Sequence, residues 1–294
     1  ASSQSRRRLR GYHSPVFLGS PGSGKRTCGL SYPGVEQHVW GSSEEETALG
    51  ILGRSDILPP VKFEWMKTLR PEEVAKLTLA ETTEQEIGRL TELGRMRAVI
   101  QYRRYLRQLN LDLLAGRRTE VKTIFLDNFT PFAEDFQDYV RWVYEKEFLT
   151  EQGNFNSIKF SIKYGQELVS FLRDFVSLPC HTILSCHVAM SLDEETAAAA
   201  SFIEDSKKGI KRPKEWQPFI MGKTKYAFTG LFNHAFFLYT EETPGQATRY
   251  YAKLEADATS IGIGKSRVQP YKNPRQISYT KGKFYEEFSG ALER

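Results

Sequence analysis

The sequence predicts an α/β fold with a mostly parallel central sheet, and three observations point to it. The residues Gly19-Ser20-Pro21-Gly22-Ser23-Gly24-Lys25-Arg26-Thr27 follow the apolar run Pro15-Val16-Phe17-Leu18 and lead into Cys28-Gly29-Leu30. That is the strand, loop and helix order a phosphate-binding loop requires. Two further runs, residues 121–127 and 181–187, are rich in β-branched and aromatic residues and end in Asp127 and His187, as buried parallel strands do at a working edge. Finally, residues 234–240 and 247–254 flank the turn Glu241-Glu242-Thr243-Pro244-Gly245-Gln246, which predicts a C-terminal β-hairpin completing the sheet.

The loop carries the clearest chemistry. Its glycines let successive backbone N–H groups converge on a polyphosphate, while Lys25 supplies a point charge to the terminal phosphates. Gly19, Ser20, Pro21, Gly22, Ser23, Gly24, Lys25, Arg26 and Thr27 are therefore the candidate contacts of a nucleoside triphosphate. Arg26 is irregular, because a Ser or Thr hydroxyl normally stands there and ligates Mg²⁺. Thr27 does not replace it, since one residue along a helix turns the side chain by about 100°. Nucleotide binding is thus better supported than hydrolysis.

The remaining elements follow in order. Residues 37–40 form a second strand, and Glu44-Glu45-Glu46 after it read as a solvated helix start, acidic because the helix dipole favours it. Residues 61–118 turn helical and form an added module. Within it, residues 84–115 lack proline and repeat Ile87, Leu90, Leu93, Met96, Ile100, Leu106, Leu109 and Leu113 at helical spacing. One helix there would be about 45 Å long; Gly88 and Gly94 leave a helical pair open. Tyr102-Arg103-Arg104-Tyr105-Leu106-Arg107 reads as an amphipathic helix on the core, with nucleic-acid contact as the alternative.

Asp127, at the end of its strand, is the candidate for holding a Mg²⁺ shell through water. Thr130-Pro131 caps a helix running to about Leu149, with Phe136, Val140, Val143 and Tyr144 on its buried side. A polar loop, residues 151–163, then precedes a helix near residues 166–177. His187 closes the next strand as a candidate γ-phosphate sensor. Residues 190–221 show no clear periodicity, yet hold Lys207, Lys208, Lys211, Arg212, Lys214 and Trp216. Cations beside an aromatic ring suit single-stranded DNA, with a solvated lid as the alternative.

Composition sets the bounds. A chain of 294 residues is long enough for one large α/β domain, expected at residues 15–294, behind a basic arm at residues 1–14. The net charge of +5 is concentrated in Arg6, Arg7, Arg8 and Arg10, with no acid before Glu36. Such an arm suits nucleic acid, or is simply a solvated tail. Cys28, Cys180 and Cys186 have no metal-type spacing and read as buried reduced thiols. No apolar run reaches membrane-span length and residues 1–8 lack a signal-peptide core, so a cytoplasmic protein without a membrane partner is expected.

Four stretches, taken in order, resemble a family. They are Val16-Phe17-Leu18-Gly19-Ser20-Pro21-Gly22-Ser23-Gly24-Lys25, then Thr123-Ile124-Phe125-Leu126-Asp127-Asn128, then Ile183-Leu184-Ser185-Cys186-His187, then Met221-Gly222-Lys223 followed by Phe232-Asn233-His234. Together they resemble the phage-encoded RecA-like nucleotide-binding proteins, some of which are single-strand annealing recombinases. The resemblance implies a RecA-like P-loop NTPase core, ATP and Mg²⁺ as cofactors, single-stranded DNA as partner, and a homo-oligomer in a bacterial host cell. By it, Lys25 and Asp127 serve phosphate and Mg²⁺, Glu44 orients water, His187 is the sensor, and Lys223 acts on a neighbouring subunit's nucleotide. This chain departs from the family pattern at Arg26 and in the long interval between Lys25 and Asp127. Two other readings stand beside it. Arg26 favours a nucleotide-stabilised structural or assembly protein with little turnover. A small-molecule kinase would use residues 84–115 as a substrate lid, but the DNA-type loop and hairpin fit it less well.

Overall fold

The computed structural model describes residues 12–41, 53–190, 202–205, 210–213, 216–218, 220, 228–241, 247–254, 265–266 and 276–293. In chain order the elements are β1 (Pro15–Gly19), α1 (Lys25–Leu30), β2 (Val35–Trp40), β3 (Val61–Phe63), α2 (Pro71–Thr78), α3 (Glu84–Leu114), β4 (Thr123–Asp127), α4 (Phe129–Val143) and α5 (Ser157–Val176). They continue with β5 (His181–Met190), β6 (Phe202–Asp205), β7 (Ile210–Pro213), β8 (Trp216–Pro218), β9 (His234–Glu241), β10 (Arg249–Lys253), β11 (Lys265–Ser266), β12 (Gln276–Tyr279) and α6 (Phe284–Glu293). The chain is α/β, and its strand pairing is mixed and mostly parallel. Two compact units are distinguished: Pro33–Thr182 makes up most of one, and His13–Tyr32 with Ile183–Arg294 makes up the other.

In the first unit β2 is parallel to β4 and to β3. All six β2 residues are buried, although Glu36, Gln37 and His38 are polar. Strand alternation sends Glu36 and His38 to one face and Gln37 to the other. On the first face the Glu36 carboxylate accepts from His38 Nε2 at 2.9 Å, from the Tyr105 hydroxyl at 2.6 Å and from the Arg118 guanidinium. The Tyr102 hydroxyl lies 3.1 Å from His38 Nδ1 and completes the ring's bonding. Burial alone raises the Glu36 carboxyl, but donation from His38, Tyr105 and Arg118 outweighs it and holds the pKa at about 2.

Residues 61–63, read in sequence as the start of the helical module, are a strand instead. Val61 and Phe63 are β-branched and aromatic, and Phe63 packs on Trp40 at 5.9 Å and on Tyr102 at 4.6 Å. Beyond it, α3 is one helix of 31 residues and not a pair, about 46 Å long at 1.5 Å per residue. Its start is fixed by a capping box: Thr83 Oγ1 accepts from Glu86 N, and Glu86 Oε2 accepts from Thr83 N at 3.0 Å. Gly94 marks a close approach, since a Cβ there would meet Trp65 Cε3 and the Trp65 carbonyl oxygen at 2.9 Å each. The ring fills the missing side chain's place, so the helix passes through Gly94 unbroken.

Two other helices start elsewhere than their sequence suggests. The cap of α4 is Asn128, whose Oδ1 accepts from Thr130 N at 2.9 Å, and the helix ends at Val143 before a 3₁₀ turn at Glu145–Phe148. Phe136 and Val140 are buried as expected, whereas Val143 is exposed. α5 begins at Ser157, inside the stretch read as a polar loop, because Asn156 Oδ1 caps it by accepting from Lys159 N at 3.0 Å. Phe160 and Tyr164 bury its first turns.

In the second unit β1 is parallel to β5 and β9, in the registers Leu18↔Cys186 and Leu18↔Phe237. Every β1 residue is buried, which suits a continuous apolar run with sheet neighbours on both sides. β9 and β10 form the expected antiparallel pair, and β12 extends it. α6 covers one face: Phe284 and Phe288 lie 5.2 and 5.0 Å from Phe236, and Phe284 lies 5.2 Å from Phe17. Regular structure also occurs within residues 190–221, where β6 pairs antiparallel with β7, and β8 pairs antiparallel with β5. The basic residues Arg6, Arg7, Arg8 and Arg10 lie outside the described residues. Among the described residues, no helix is long and apolar enough to cross a membrane.

Candidate nucleotide-binding site

The loop leaves the buried end of β1 and needs glycine at three places, for two reasons. At Gly19 a Cβ would fall 2.4 Å from Ser23 Oγ and 2.7 Å from the Leu238 carbonyl oxygen, so only hydrogen fits. Gly22 and Gly24 have φ of 80° and 86°, a region costly for any residue with a side chain. A turn bond from Ser23 N to the Ser20 carbonyl at 3.3 Å tightens the loop, and Cys28 N to the Gly24 carbonyl at 3.0 Å opens α1. Ser20, Pro21 and Gly22 are exposed, whereas Ser23 is buried.

Lys25 is only 7% exposed. Its ammonium donates to the carbonyls of Gly19 at 2.8 Å and Ser20 at 2.7 Å, bending back over the loop. Burying an ammonium is costly without hydrogen-bond acceptors, and the loop's own backbone provides them. The charge is thereby held at the loop itself. Arg26 and Thr27 are both half-buried on α1. Behind the loop, burial pushes the Cys28 thiol up to about 12, opposed by a hydrogen bond with Tyr279, so the thiol is an inert core group. The Tyr250 ring and the Tyr279 hydroxyl approach to 3.4 Å of where a Gly24 Cβ would stand.

His187 is half-buried, and its Cα is the register partner of Gly19. The sensor candidate therefore stands at the same sheet edge as the first residue of the loop. His234, another residue of the resemblance, is 2% exposed; burial and the neighbouring His13 push its pKa down to about 3. It is a neutral core imidazole beside Phe236 and Phe288.

In the first unit, Asp127 ends β4 and is 5% exposed. Its Oδ2 accepts from Gln37 Nε2 at 3.1 Å, diagonally across the β2–β4 pairing, in which Asp127 stands opposite Val39 and Gln37 opposite Phe125. Gln37 was not singled out from sequence. Its signal was a polar residue inside an otherwise buried strand, which demands a partner.

The other candidates divide by what the structure describes. Glu44, Lys207, Lys208, Lys214 and Lys223 lie outside the described residues. Lys211 and Arg212 fall in β7, and Trp216 in β8, with backbone positions alone described. Cys28, Cys180 and Cys186 are buried and form no disulfide. Among the described residues no cluster of three or more His, Cys, Asp or Glu side chains has metal-binding geometry.

No protein-family model matches the chain, and no curated protein matches its sequence.

The donor set can be tested against its two expected ligands. The loop's glycines and Lys25 fit a polyphosphate. For Mg²⁺ each unit is taken by itself: in the first, Asp127 is a hard carboxylate of the kind that holds a hydrated Mg²⁺, and in the second the residue after Lys25 is Arg26, which offers no oxygen ligand. Magnesium would neutralise phosphate charge if bound.

Proposed function

We propose that the chain is a phage RecA-like P-loop protein that binds ATP, hydrolyses it, and acts on single-stranded DNA in recombination or annealing. In this reading it works as a homo-oligomer in the cytoplasm of a bacterial host. The observation that carries the proposal is the loop: glycines required at Gly19, Gly22 and Gly24, with the Lys25 ammonium held over the Gly19 and Ser20 carbonyls at the end of a buried parallel strand. An anion entering this loop meets convergent backbone N–H groups and a cation whose desolvation the fold has already met. His187, in register with Gly19, is the residue this reading assigns to sense the terminal phosphate. Asp127, whose carboxylate accepts from Gln37, is the residue the resemblance assigns to Mg²⁺.

Chemistry at such a site is positioning and charge stabilisation of the transferred phosphoryl group, with water as acceptor. Arg26 favours a second reading, a structural or assembly protein that nucleotide stabilises, because a guanidinium supplies positive charge without a metal ligand. Measuring ATP binding and ATP hydrolysis with and without single-stranded DNA separates the two. DNA-stimulated turnover supports the recombination reading. Tight ATP binding with no turnover supports the assembly reading, and no nucleotide binding defeats both.

A further inference from the structure

In the first unit, α3 and α5 border an open cavity of about 250 Å³ that the nucleotide reading does not use. Arg103, Leu106, Arg107 and Asn110 line it from α3, at the spacings of three and four that place side chains on one helix face. Phe171 and Asp174 line it from α5, and Leu178 lines it just beyond that helix. Its floor is apolar: Leu106, Phe171 and Leu178 are buried, at 7, 2 and 3% exposure. Its rim is polar, with Arg107 and Asp174 exposed and Asn110 half-buried.

The charges of the lining divide by whether they have partners. The Arg103 guanidinium donates to the Tyr139 hydroxyl, lies 5.2 Å from the Tyr139 ring centre and pairs with Glu167 at 3.7 Å. Among the described residues, the Arg107 guanidinium, the Asp174 carboxylate and the Asn110 amide have no ion pair or side-chain hydrogen bond, and Arg107 and Asp174 are not joined to each other. Asp174 also stands in the last turn of α5, at the end of the helix dipole that favours cations.

We propose that this cavity binds a free α-amino acid with an apolar side chain: its carboxylate on Arg107 and Asn110, its ammonium on Asp174, and its side chain on the floor. Glu167 already balances Arg103, so the rest of the lining offers the positive charge of Arg107 and the negative charge of Asp174. An anion such as phosphate would be opposed by Asp174, and a simple cation by Arg107. A zwitterion meets both. Guanidinium and carboxylate can join through two parallel hydrogen bonds, and an ammonium gains from Asp174 and the helix end together. The cavity has the volume of about eight waters at about 30 Å³ each, which leaves room for a branched or aromatic side chain over Leu106, Phe171 and Leu178. An amino acid inside a peptide carries neither backbone charge, so the free form is the one that fits. The inference goes beyond nucleotide binding and does not depend on it.

Isothermal titration calorimetry of the full chain with L-phenylalanine and L-leucine is the test. Both should bind, and glycine, which has no side chain to cover the floor, should bind more weakly. N-acetyl-L-phenylalanine lacks the ammonium and L-phenylalaninamide lacks the carboxylate. Each should bind about ten-fold or more weakly than phenylalanine, because each leaves one charged contact unmade. This series needs no substitution to fold. Arg107→Gln and Asp174→Asn, both at exposed positions, should each cause a loss of similar size with circular dichroism unchanged. Absence of binding by either amino acid overturns the proposal, as does unreduced affinity for the two blocked analogues or unchanged phenylalanine affinity in both variants. Preference for inorganic phosphate over phenylalanine would overturn it in favour of an anion site. ATP affinity, measured separately, should be the same in both variants as in the parent chain, so failure at this cavity leaves the nucleotide reading standing.

Discussion

Lys25 and Glu36 are both charged and both almost fully buried, at 7% and 2% exposure, yet they are accommodated in opposite ways. The Lys25 ammonium is held by backbone carbonyls five and six residues before it, in a loop that glycine alone can shape. The Glu36 carboxylate is held by side chains: His38 from its own strand, Tyr105 from α3 and Arg118 from the segment after it. The first arrangement can exchange its partners for a ligand's oxygens, since a backbone loop presents N–H groups beside its carbonyls. The second joins separate elements of one unit and has no such alternative. In the proposed reading, buried charge in the loop serves binding, whereas buried charge on β2 joins elements of one unit.

That contrast can be broken by experiment. The largest effect is expected from Glu36→Ala, which leaves His38 and the Arg118 guanidinium without their shared acceptor; breaking a buried pair in this way costs about 3–5 kcal/mol. Chemical denaturation should show the loss, with ATP affinity of the folded fraction unchanged. The same residue sets a pH dependence. Its folded pKa of about 2 lies below its ordinary value of 4.5, so its contribution is complete above 4.5 and is lost as pH falls toward 2. A Glu36→Gln variant should have a flatter stability profile across that acid window.

Lys25→Ala should show the reverse pattern. ATP affinity should fall by two decades or more, about 2.7 kcal/mol, while the unfolding midpoint stays close to that of the parent chain. A large stability loss with intact nucleotide affinity would mean that Lys25, like Glu36, is there for cohesion. Arg26→Thr sharpens the binding side by restoring a hard oxygen ligand in place of a cation. Mg²⁺ dependence and turnover should rise; if both fall, the guanidinium itself takes part. The smallest effect is expected from Thr83→Ala, which removes the α3 cap and should cost about 1 kcal/mol in denaturation without touching nucleotide binding.

The same contrast explains what the sequence disclosed. β1, the loop and α1 were legible because their determinants lie within a few residues: an apolar run, glycines forced by positive φ, and a lysine whose acceptors are five and six residues away. The hairpin strands were legible for the same reason, with an explicit turn between them. The Glu36 cluster was not, because Tyr105 and Arg118 stand 69 and 82 residues away. Gln37 is separated from Asp127 by 90 residues, so its partner is set by strand register and not by neighbouring sequence. Gly94 misled in another way. Its helix-weakening propensity is real, but Trp65 packed against it outweighs that local cost. Residues 61–63 were too few to show a period, and only their pairing with β2 identifies a strand.

The chain order of the second unit has a consequence for how the protein is made. Val16 leaves the ribosome well before its two register partners, Leu184 and Ala235, which lie far downstream of it. At about 5–20 residues per second, β1 waits for tens of seconds before its second neighbour exists. Until β5 exists, this apolar strand and its glycine loop are attached to a growing chain with neither sheet neighbour to pair against, and until β9 exists one side stays open. The loop, with the Leu238 carbonyl packed close to Gly19, thus takes its final shape only once β9 exists, and a chain truncated before β9 would carry the complete loop sequence without the sheet that shapes it.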